Sequence, residues 1–188
     1  LGLHLEISEG CEADDCIASV AKRYRDERPV VLVATDKDLK QCLHPNVLMW
    51  DPASRDEKIV TLDSFTSETG LVPSQWPDVQ AIIGDSSDNI PGIRGIGPKT
   101  AEKLFRDYPT LEAIRDGFES LSPSLHKKFD GQLDAMFLYR QLTTLDTSRC
   151  SGLTMDDMKV RPVNRQEAAT LLREFELTSL ERELAALI

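Results

Sequence analysis

The 188-residue chain is poor in the side chains on which nucleophilic and zinc enzymes are built. Its three histidines, His4, His44 and His126, are scattered singly along the sequence. Its four cysteines, Cys11, Cys16, Cys42 and Cys150, form no C-x-x-C pair, and none has a histidine at zinc-ligand spacing. This pattern favours buried or half-buried free thiols in a reducing compartment over a zinc site. No apolar run approaches the ~20 residues that a membrane-spanning helix needs. Repeats and low-complexity linkers are missing too, as is a charged leader with a cleavage signal. LGLHLEI opens instead like the middle of a domain, with a strand-like alternation at Leu3, Leu5 and Ile7. Basic charge is also short: 22 Lys and Arg against 32 Asp and Glu leave a net charge of −10, which argues against a uniformly basic face for nucleic acid.

What the chain has is acid gathered into three short clusters: EADD (12–15), TDKDL (35–39), and the pair Asp85 and Asp88 within IGDSSDNIPGIRGIGPKTAEKLF (83–105). From Gly92 to Lys103 the balance reverses, with Arg94, Lys99 and Lys103 against Glu102. Apolar spacing predicts an amphipathic helix over 12–26. The unbroken run 30–34 reads as a strand covered on both faces, hence parallel and central. Segments 47–50 and 58–62 read as a hairpin-like pair at a sheet edge, joined by the turn DPASRDE. Beyond them strand signals stop. Helices are predicted over 63–70 (capped by Asp63), 75–83, 99–106, 111–115 (capped by Thr110), 122–142 with a break at Gly131, and 166–175 (capped by Asn164), with a last one capped by Thr178. The fold class is therefore α/β: a partial, mostly parallel sheet flanked by helices (residues 1–74), followed by a helical region (residues 75–188).

Each acidic cluster has an ordinary explanation on its own. Glu12, Asp14 and Asp15 fall in the first turn of a helix, where carboxylates suit the dipole. Asp36 and Asp38, two apart and just past a strand end, face one side of an extended segment at the edge where α/β sheets bind ligands. Asp85 and Asp88 share a face only if their segment turns helically; otherwise they sit in a solvated turn with Ser86 and Ser87. Brought together, seven carboxylates repel unless cations join them, and an all-oxygen donor set suits Mg²⁺ or Mn²⁺ over zinc. Two such ions, about 4 Å apart, generate a hydroxide nucleophile and stabilise both oxygens of an in-line phosphoryl displacement. An aspartate-nucleophile phosphatase also accounts for VVLVATDKDL and GDSSDN, but leaves EADD and the glycine turn unexplained.

The turn GIRGIGPKT is not a nucleotide phosphate loop, because Pro98 separates Gly97 from Lys99. Nor is it a dinucleotide fingerprint, since Thr100 holds the third glycine position and no strand precedes it. It reads as a helix–hairpin–helix in which Ile96 plugs into the helix pair. Gly95 and Gly97 let backbone N–H groups approach an anion, beside a helix start. Arg94, Lys99 and Lys103 add charge. Contacts of this kind read phosphate without base information and weaken as salt rises.

With EADD, TDKDL, GDSSDNIPGIRGIGPKTA and the closing FELTSLEREL in that order, the whole chain resembles the 5′→3′ exonuclease and flap endonuclease family. It is most similar to the nuclease domain at the front of bacterial DNA polymerase I. The resemblance implies a PIN-like α/β core with a helix-three-turn-helix extension, and two Mg²⁺ (or Mn²⁺) ions hydrolysing flapped, branched or 5′-ended duplex DNA in replication and repair. It implies Glu12 and Asp14 at the first ion, Asp15 at or just outside that shell, and Asp36, Asp38, Asp85 and Asp88 at the second. Arg94, Gly95, Ile96, Gly97, Lys99, Thr100 and Lys103 match the DNA-gripping hairpin, which in the family sometimes also holds a monovalent cation such as K⁺. A bacterial, nucleoid-associated cytoplasmic enzyme is implied, with room for a polymerase domain in the parent. Family members carry a long segment before the EADD helix, with a sheet strand, two further aspartates and a basic arch; none of it is present here. A DNA-binding module that keeps the hairpin but does not cleave is the rival expectation.

Overall fold

The computed structural model describes residues 2–54, 58–150 and 152–186. They fall into two compact units, Cys11–Ser151 and a smaller one of Leu1–Gly10 with Gly152–Ile188.

The larger unit begins with α1 (Ala13–Tyr24), which buries Ala18, Ser19 and Ala21. Strand β1 (Val30–Val33) pairs in parallel with β2 (Val47–Asp51), and β2 pairs antiparallel with β3 (Lys58–Val60), in the order β1-β2-β3. The expected hairpin-like pair is thus present, and residues 55–57 of its turn lie outside the described residues. Its placement differs from expectation, because β2 is the middle strand and β1 lies at an edge. Nor is β1 covered on both faces: Leu32 is buried, but Val31 and Val33 are 52% and 58% exposed. Alternate residues of a strand point to opposite faces, and among the described residues nothing covers the Val31–Val33 face. An unbroken apolar run reports the burial a strand is built for, and here one face stays bare.

A 3-10 helix, Lys37–Cys42, follows β1. Helix α2 (Leu62–Thr69) is capped by Thr61, in a reciprocal box with Ser64, and not by Asp63 as expected. Thr61 holds the extended backbone position from which a hydroxyl reaches the Ser64 amide, whereas Asp63 is already inside the helix. Helix α3 (Trp76–Ile83) is buried from Trp76 to Ile82 and is the centre of the core. It packs against α4 (Pro98–Asp107) and α7 (Leu133–Thr143). Between these lie α5 (Leu111–Asp116), capped by Thr110, and α6 (Pro123–Phe129), with the break at Gly131 as expected. A polar clamp ties the helices: Arg140 on α7 holds Glu112 at 2.8 and 3.0 Å and Asp78 at 3.4 Å.

In the smaller unit, Asn164 caps α8 (Arg165–Glu174), and α9 (Thr178–Ala186) follows. The alternation at Leu3, Leu5 and Ile7 does not form a strand, and all three side chains are exposed. One backbone bond reaches this segment, from the Arg161 amide to the Gly2 carbonyl at 2.8 Å. An extended segment without a ladder beside it is not a strand, whatever its alternation.

Candidate metal centre and nucleic-acid interface

The second acidic cluster is shaped by its own backbone. Asp36 sits at the N-cap of the 3-10 helix, and its carboxylate accepts the Asp38 amide at 2.9 Å. That turn points Asp38 inward, to 6% exposure, where Gln80 Nε2 on the core helix donates to its Oδ1. Burial, followed by the charges of Asp36, Asp85 and Asp88, pushes the Asp38 carboxyl up to about 6, with the Gln80 bond pulling the other way. Two charged carboxylates in so small a space oppose each other, and burial removes the water that would screen them.

Of the two routes left open for Asp85 and Asp88, a helical turn or a turn with Ser86 and Ser87, the structure takes a turn in which Ser87 bonds Asp85. Gly84 leaves α3 with φ +78°, and Asp85 pairs with Ile90 through two backbone bonds of 2.8 and 2.7 Å. The closed turn buries Asp85 to 3% exposure and leaves Asp88 exposed. Ser87 donates its amide (3.0 Å) and hydroxyl (2.5 Å) to Asp85 Oδ1, while Lys37 Nζ lies 2.8 Å from Oδ2. Burial raises the Asp85 carboxyl, but Lys37 and Ser87 together outweigh it and hold the group below the usual carboxylate range. One oxygen from each of Asp38, Asp85 and Asp88 lies within 4.8 Å of the others.

All three acidic clusters meet around this point. A cavity of about 400 Å³ is lined by Glu12, Asp14, Asp15, Asp36, Asp38 and Asp88, together with Ile90 and residues 142–146. Asp85 stands behind that lining, its oxygens turned to Lys37 and Ser87. Asp15 is partly engaged elsewhere, since its Oδ1 accepts the Asp146 amide at 2.7 Å and so fixes the segment after α7. Asp14 accepts the Asp15 amide at 2.9 Å, and Glu12 is exposed. The donor set fits hard divalent cations: it is all carboxylate oxygen, burial and the neighbouring carboxylates raise the proton affinity of one member, and a lysine ammonium already sits on another.

The glycine turn adjoins the cavity through Asp88. The Ile93 amide bonds the Ile82 carbonyl at 2.7 Å and the Ile96 amide bonds Ile93 at 3.0 Å, which pins the loop across the end of α3. Ile93 and Ile96 are buried, so Ile96 is the plug and not a direct contact for a ligand. Gly95 has φ +82° and Gly97 is the N-cap of α4, and both are exposed, as are Arg94, Lys99 and Lys103. Thr100 is half-buried, with its amide bonded to the Gly97 carbonyl. Sequence reasoning missed three residues here. Gln80 sits 42 positions from Asp38, and Lys128 donates from 33 positions away to the Gly95 carbonyl at 2.6 Å, so neither spacing shows in a local motif. The third is Gly92, with φ +63°, where an added Cβ would lie 2.4 Å from the Gly84 nitrogen. Its close approach to Gly84 is what closes the turn, and the doubled glycine of GDSSDNIPG was the readable signal.

Residues 1–70 match the model of the 5′-3′ exonuclease N-terminal resolvase-like domain, and residues 71–166 match that of the 5′-3′ exonuclease C-terminal SAM fold. The chain belongs to the 5′-3′ exonuclease family. A 5′-3′ exonuclease of Bacillus subtilis is 33% identical over 95% of this chain and 60% of its own length. A thermostable DNA polymerase I of Thermus thermophilus is 36% identical over 100% of this chain and 22% of its own. The chain therefore spans about three fifths of the exonuclease and about a fifth of the polymerase. Among solved structures, zinc-bound T5 5′-exonuclease shares the fold with a TM-score of 0.67 and 24% identity, over 74% of this chain and 52% of that one. With the family established, the aspartate-nucleophile phosphatase reading falls. Among the described residues no helix is long and apolar enough to cross a membrane.

Proposed function

We infer that this chain is the ion-holding and duplex-gripping part of a metal-dependent, structure-selective 5′→3′ exonuclease or flap endonuclease that hydrolyses DNA phosphodiesters in replication and repair. The observation that carries this is the approach of Asp38, Asp85 and Asp88 oxygens to within 4.8 Å of one another, at a cavity lined by carboxylates of all three acidic clusters. The names of its relatives, 5′-3′ exonuclease and DNA polymerase I, point the same way, as does a T5 flap endonuclease complex with DNA and metal ions. In this reading residues 1–74 are the α/β nuclease part and residues 75–188 the helical, DNA-holding part. The setting is the bacterial cytoplasm at the nucleoid, with a polymerase domain in the parent where the relative has one.

Glu12, Asp14 and Asp15 would serve one divalent ion, and Asp36, Asp38, Asp85 and Asp88 a second, with Mg²⁺ or Mn²⁺ as the natural occupants. Such ions supply an activated water and neutralise charge on the scissile phosphate. The chain's own residues do the rest. Lys37 and Ser87 fix the Asp85 oxygens, and Gln80 fixes Asp38. Gly95, Gly97, Lys99 and Lys103, with Arg94, hold duplex phosphates without reading bases. Lys128 adds a cation at the Gly95 carbonyl, the place where a monovalent ion such as K⁺ would also find oxygen ligands.

The test is a titration of Mn²⁺ into the chain, followed by a 5′-flap duplex. Mn²⁺ is expected to raise the thermal midpoint, and Asp85→Asn to lose that rise. In the full-length parent, flap cleavage in Mg²⁺ should vanish with Asp85→Asn while flap binding persists. Tight flap binding with no cleavage by the full-length parent protein in millimolar Mg²⁺ or Mn²⁺ would instead establish the non-cleaving module. Normal cleavage by Asp85→Asn would dismiss the ion assignment.

A further inference from the structure

Beside the acidic cavity lies a cluster the proposed hydrolysis does not use. Cys16 and Cys150, 134 positions apart, form a disulfide with Cα atoms 5.2 Å apart. This overturns the expectation of reduced, unpaired thiols; local spacing carries no trace of a pairing set by how the segment after α7 folds back on α1. A third sulfur completes the group: Cys11 Sγ lies 3.3 Å from Cys16 Sγ and 3.4 Å from Cys150 Sγ. All three residues are only half-buried.

Cys150 also opens on a second cavity, of about 230 Å³, whose lining includes Lys22, Arg23 and Arg149 and no carboxylate. Lys22 Nζ is positioned by Thr147 Oγ1 at 2.9 Å and Arg149 Nε by Asp146 at 2.8 Å. Although Arg149 is paired with Asp146, Lys22, Arg23 and Arg149 line one cavity with Cys150 in a chain of net charge −10. Anionic molecules are drawn to such a cavity and cationic ones repelled.

We propose that Cys11, Cys16 and Cys150 form a thiol-exchange site whose co-substrate is an anionic, low-molecular-mass disulfide docked on the Lys22–Arg23–Arg149 cavity. In the reduced chain the Cys150 thiolate attacks one sulfur of RSSR, forming Cys150–S–S–R and releasing RS⁻. The Cys16 thiolate then attacks Cys150 Sγ, forming the Cys16–Cys150 bond and releasing the second RS⁻. Two electrons pass from two protein thiols to one RSSR, which leaves as two RSH carrying the two thiol protons. Excess RSH runs the sequence backwards. Cys11, within reach of both sulfurs, attacks either one and moves the bond within the trio with no further oxidant. The bond joins the residue after Asp15 to the segment whose Asp146 amide holds Asp15, so the exchange locks one wall of the acidic cavity. The site stands whether or not the nuclease reading does.

The reduced 188-residue chain is incubated at low salt with glutathione disulfide, an anionic probe, or with cystamine, a cationic one. The reaction is quenched with acid, and remaining thiols are alkylated and mapped by mass. The expected product pairs two of Cys11, Cys16 and Cys150 and leaves Cys42, whose thiol burial pushes up to about 11, as an alkylated thiol. Glutathione disulfide should react several-fold faster than cystamine, with the preference lost at high salt and in Lys22→Gln/Arg149→Gln. Cys11→Ser/Cys16→Ser, which removes both resolving thiols, should accumulate the Cys150–glutathione adduct. Equal or faster reaction with cystamine, or oxidation spread evenly onto Cys42, overturns the proposal. So does a reduced chain that takes up one equivalent of zinc and thereafter resists glutathione disulfide, which would make the trio a metal site.

Discussion

The acidic cavity and the glycine turn touch at Asp88 yet are built by opposite means. The cavity is made of side chains from three segments far apart in sequence, and its charges are under tension: burial and three neighbouring carboxylates push Asp38 up to about 6. The turn is made of backbone from one segment, closed by the Asp85–Ile90 pair and the Ile93–Ile82 bond, with its charges turned outward. Substituting the cavity should therefore leave the fold intact or even relieve it, while substituting the turn should either break the fold or alter binding alone.

The largest effect is expected at Gly92. An alanine Cβ there would meet the Gly84 nitrogen at 2.4 Å and the Ile82 oxygen at 2.6 Å, in a backbone region that L side chains rarely adopt. Backbone on both sides leaves nothing flexible to give way. Gly92→Ala is expected to cost about 3 kcal/mol or more in urea unfolding. An unchanged midpoint would mean that the turn is not closed as described.

Asp38→Asn should move stability the other way. The ordinary carboxyl value is 3.8, and in the folded chain the group holds its proton up to about 6. Between those values the folded state binds more protons than the unfolded, so stability falls as pH rises through that window and stays low above it. The gap is worth at most about 3 kcal/mol. In metal-free buffer at pH 7, Asp38→Asn should recover much of that amount, lose the fall between pH 4 and 6, and forgo stabilisation by Mn²⁺. Gln80 keeps an oxygen to donate to in the variant. If the variant is instead less stable than the parent at pH 7 without metal, the picture of a strained, unneutralised carboxylate is wrong.

These two cases also mark what could be read from the sequence. The turn was legible because its parts are neighbours: Gly95, Ile96 and Gly97 announce a bend, a plug and a helix start within three positions, and the structure has Ile96 buried and Gly97 at the N-cap. The cavity was legible only as a joint inference, since each cluster alone also suits a helix start or a solvated turn. The route taken by Asp85 was left open between a helical and a serine-capped turn, because a turn closed by Ile90 leaves no periodic trace. The bare face of β1 was illegible for a related reason: Val31 and Val33 are apolar whether or not anything covers them. The roles of Gln80, Lys128 and Cys150 depend on helices meeting across the core, which no local pattern encodes.

A smaller effect is expected at Lys128, where the two regions' logics mix: a side chain holds the turn's backbone at the Gly95 carbonyl. Lys128→Met should change stability by less than about 1 kcal/mol, since the half-buried side chain makes one hydrogen bond to the turn and methionine keeps its apolar stem. If the ammonium also meets phosphate, duplex affinity should fall a few-fold and the slope of affinity against salt should shrink by about one. An unaltered slope would confine Lys128 to fixing the turn.

Gly97 separates fold from binding most cleanly, and its effect on stability should be the smallest. Its φ is −103°, open to any residue, and nothing lies within 4 Å of where a Cβ would be. Nothing in the fold requires glycine there. Alanine is only a poorer N-cap, so Gly97→Ala should cost about 1 kcal/mol or less in unfolding. If the glycine instead serves to let phosphate reach the backbone at the start of α4, the same variant should bind duplex more weakly, to the same degree for unrelated sequences, while Mn²⁺ still stabilises it. A variant that binds DNA as before would transfer the whole grip of the turn to Gly95 and the cations around it, leaving open backbone at Gly97 without a task.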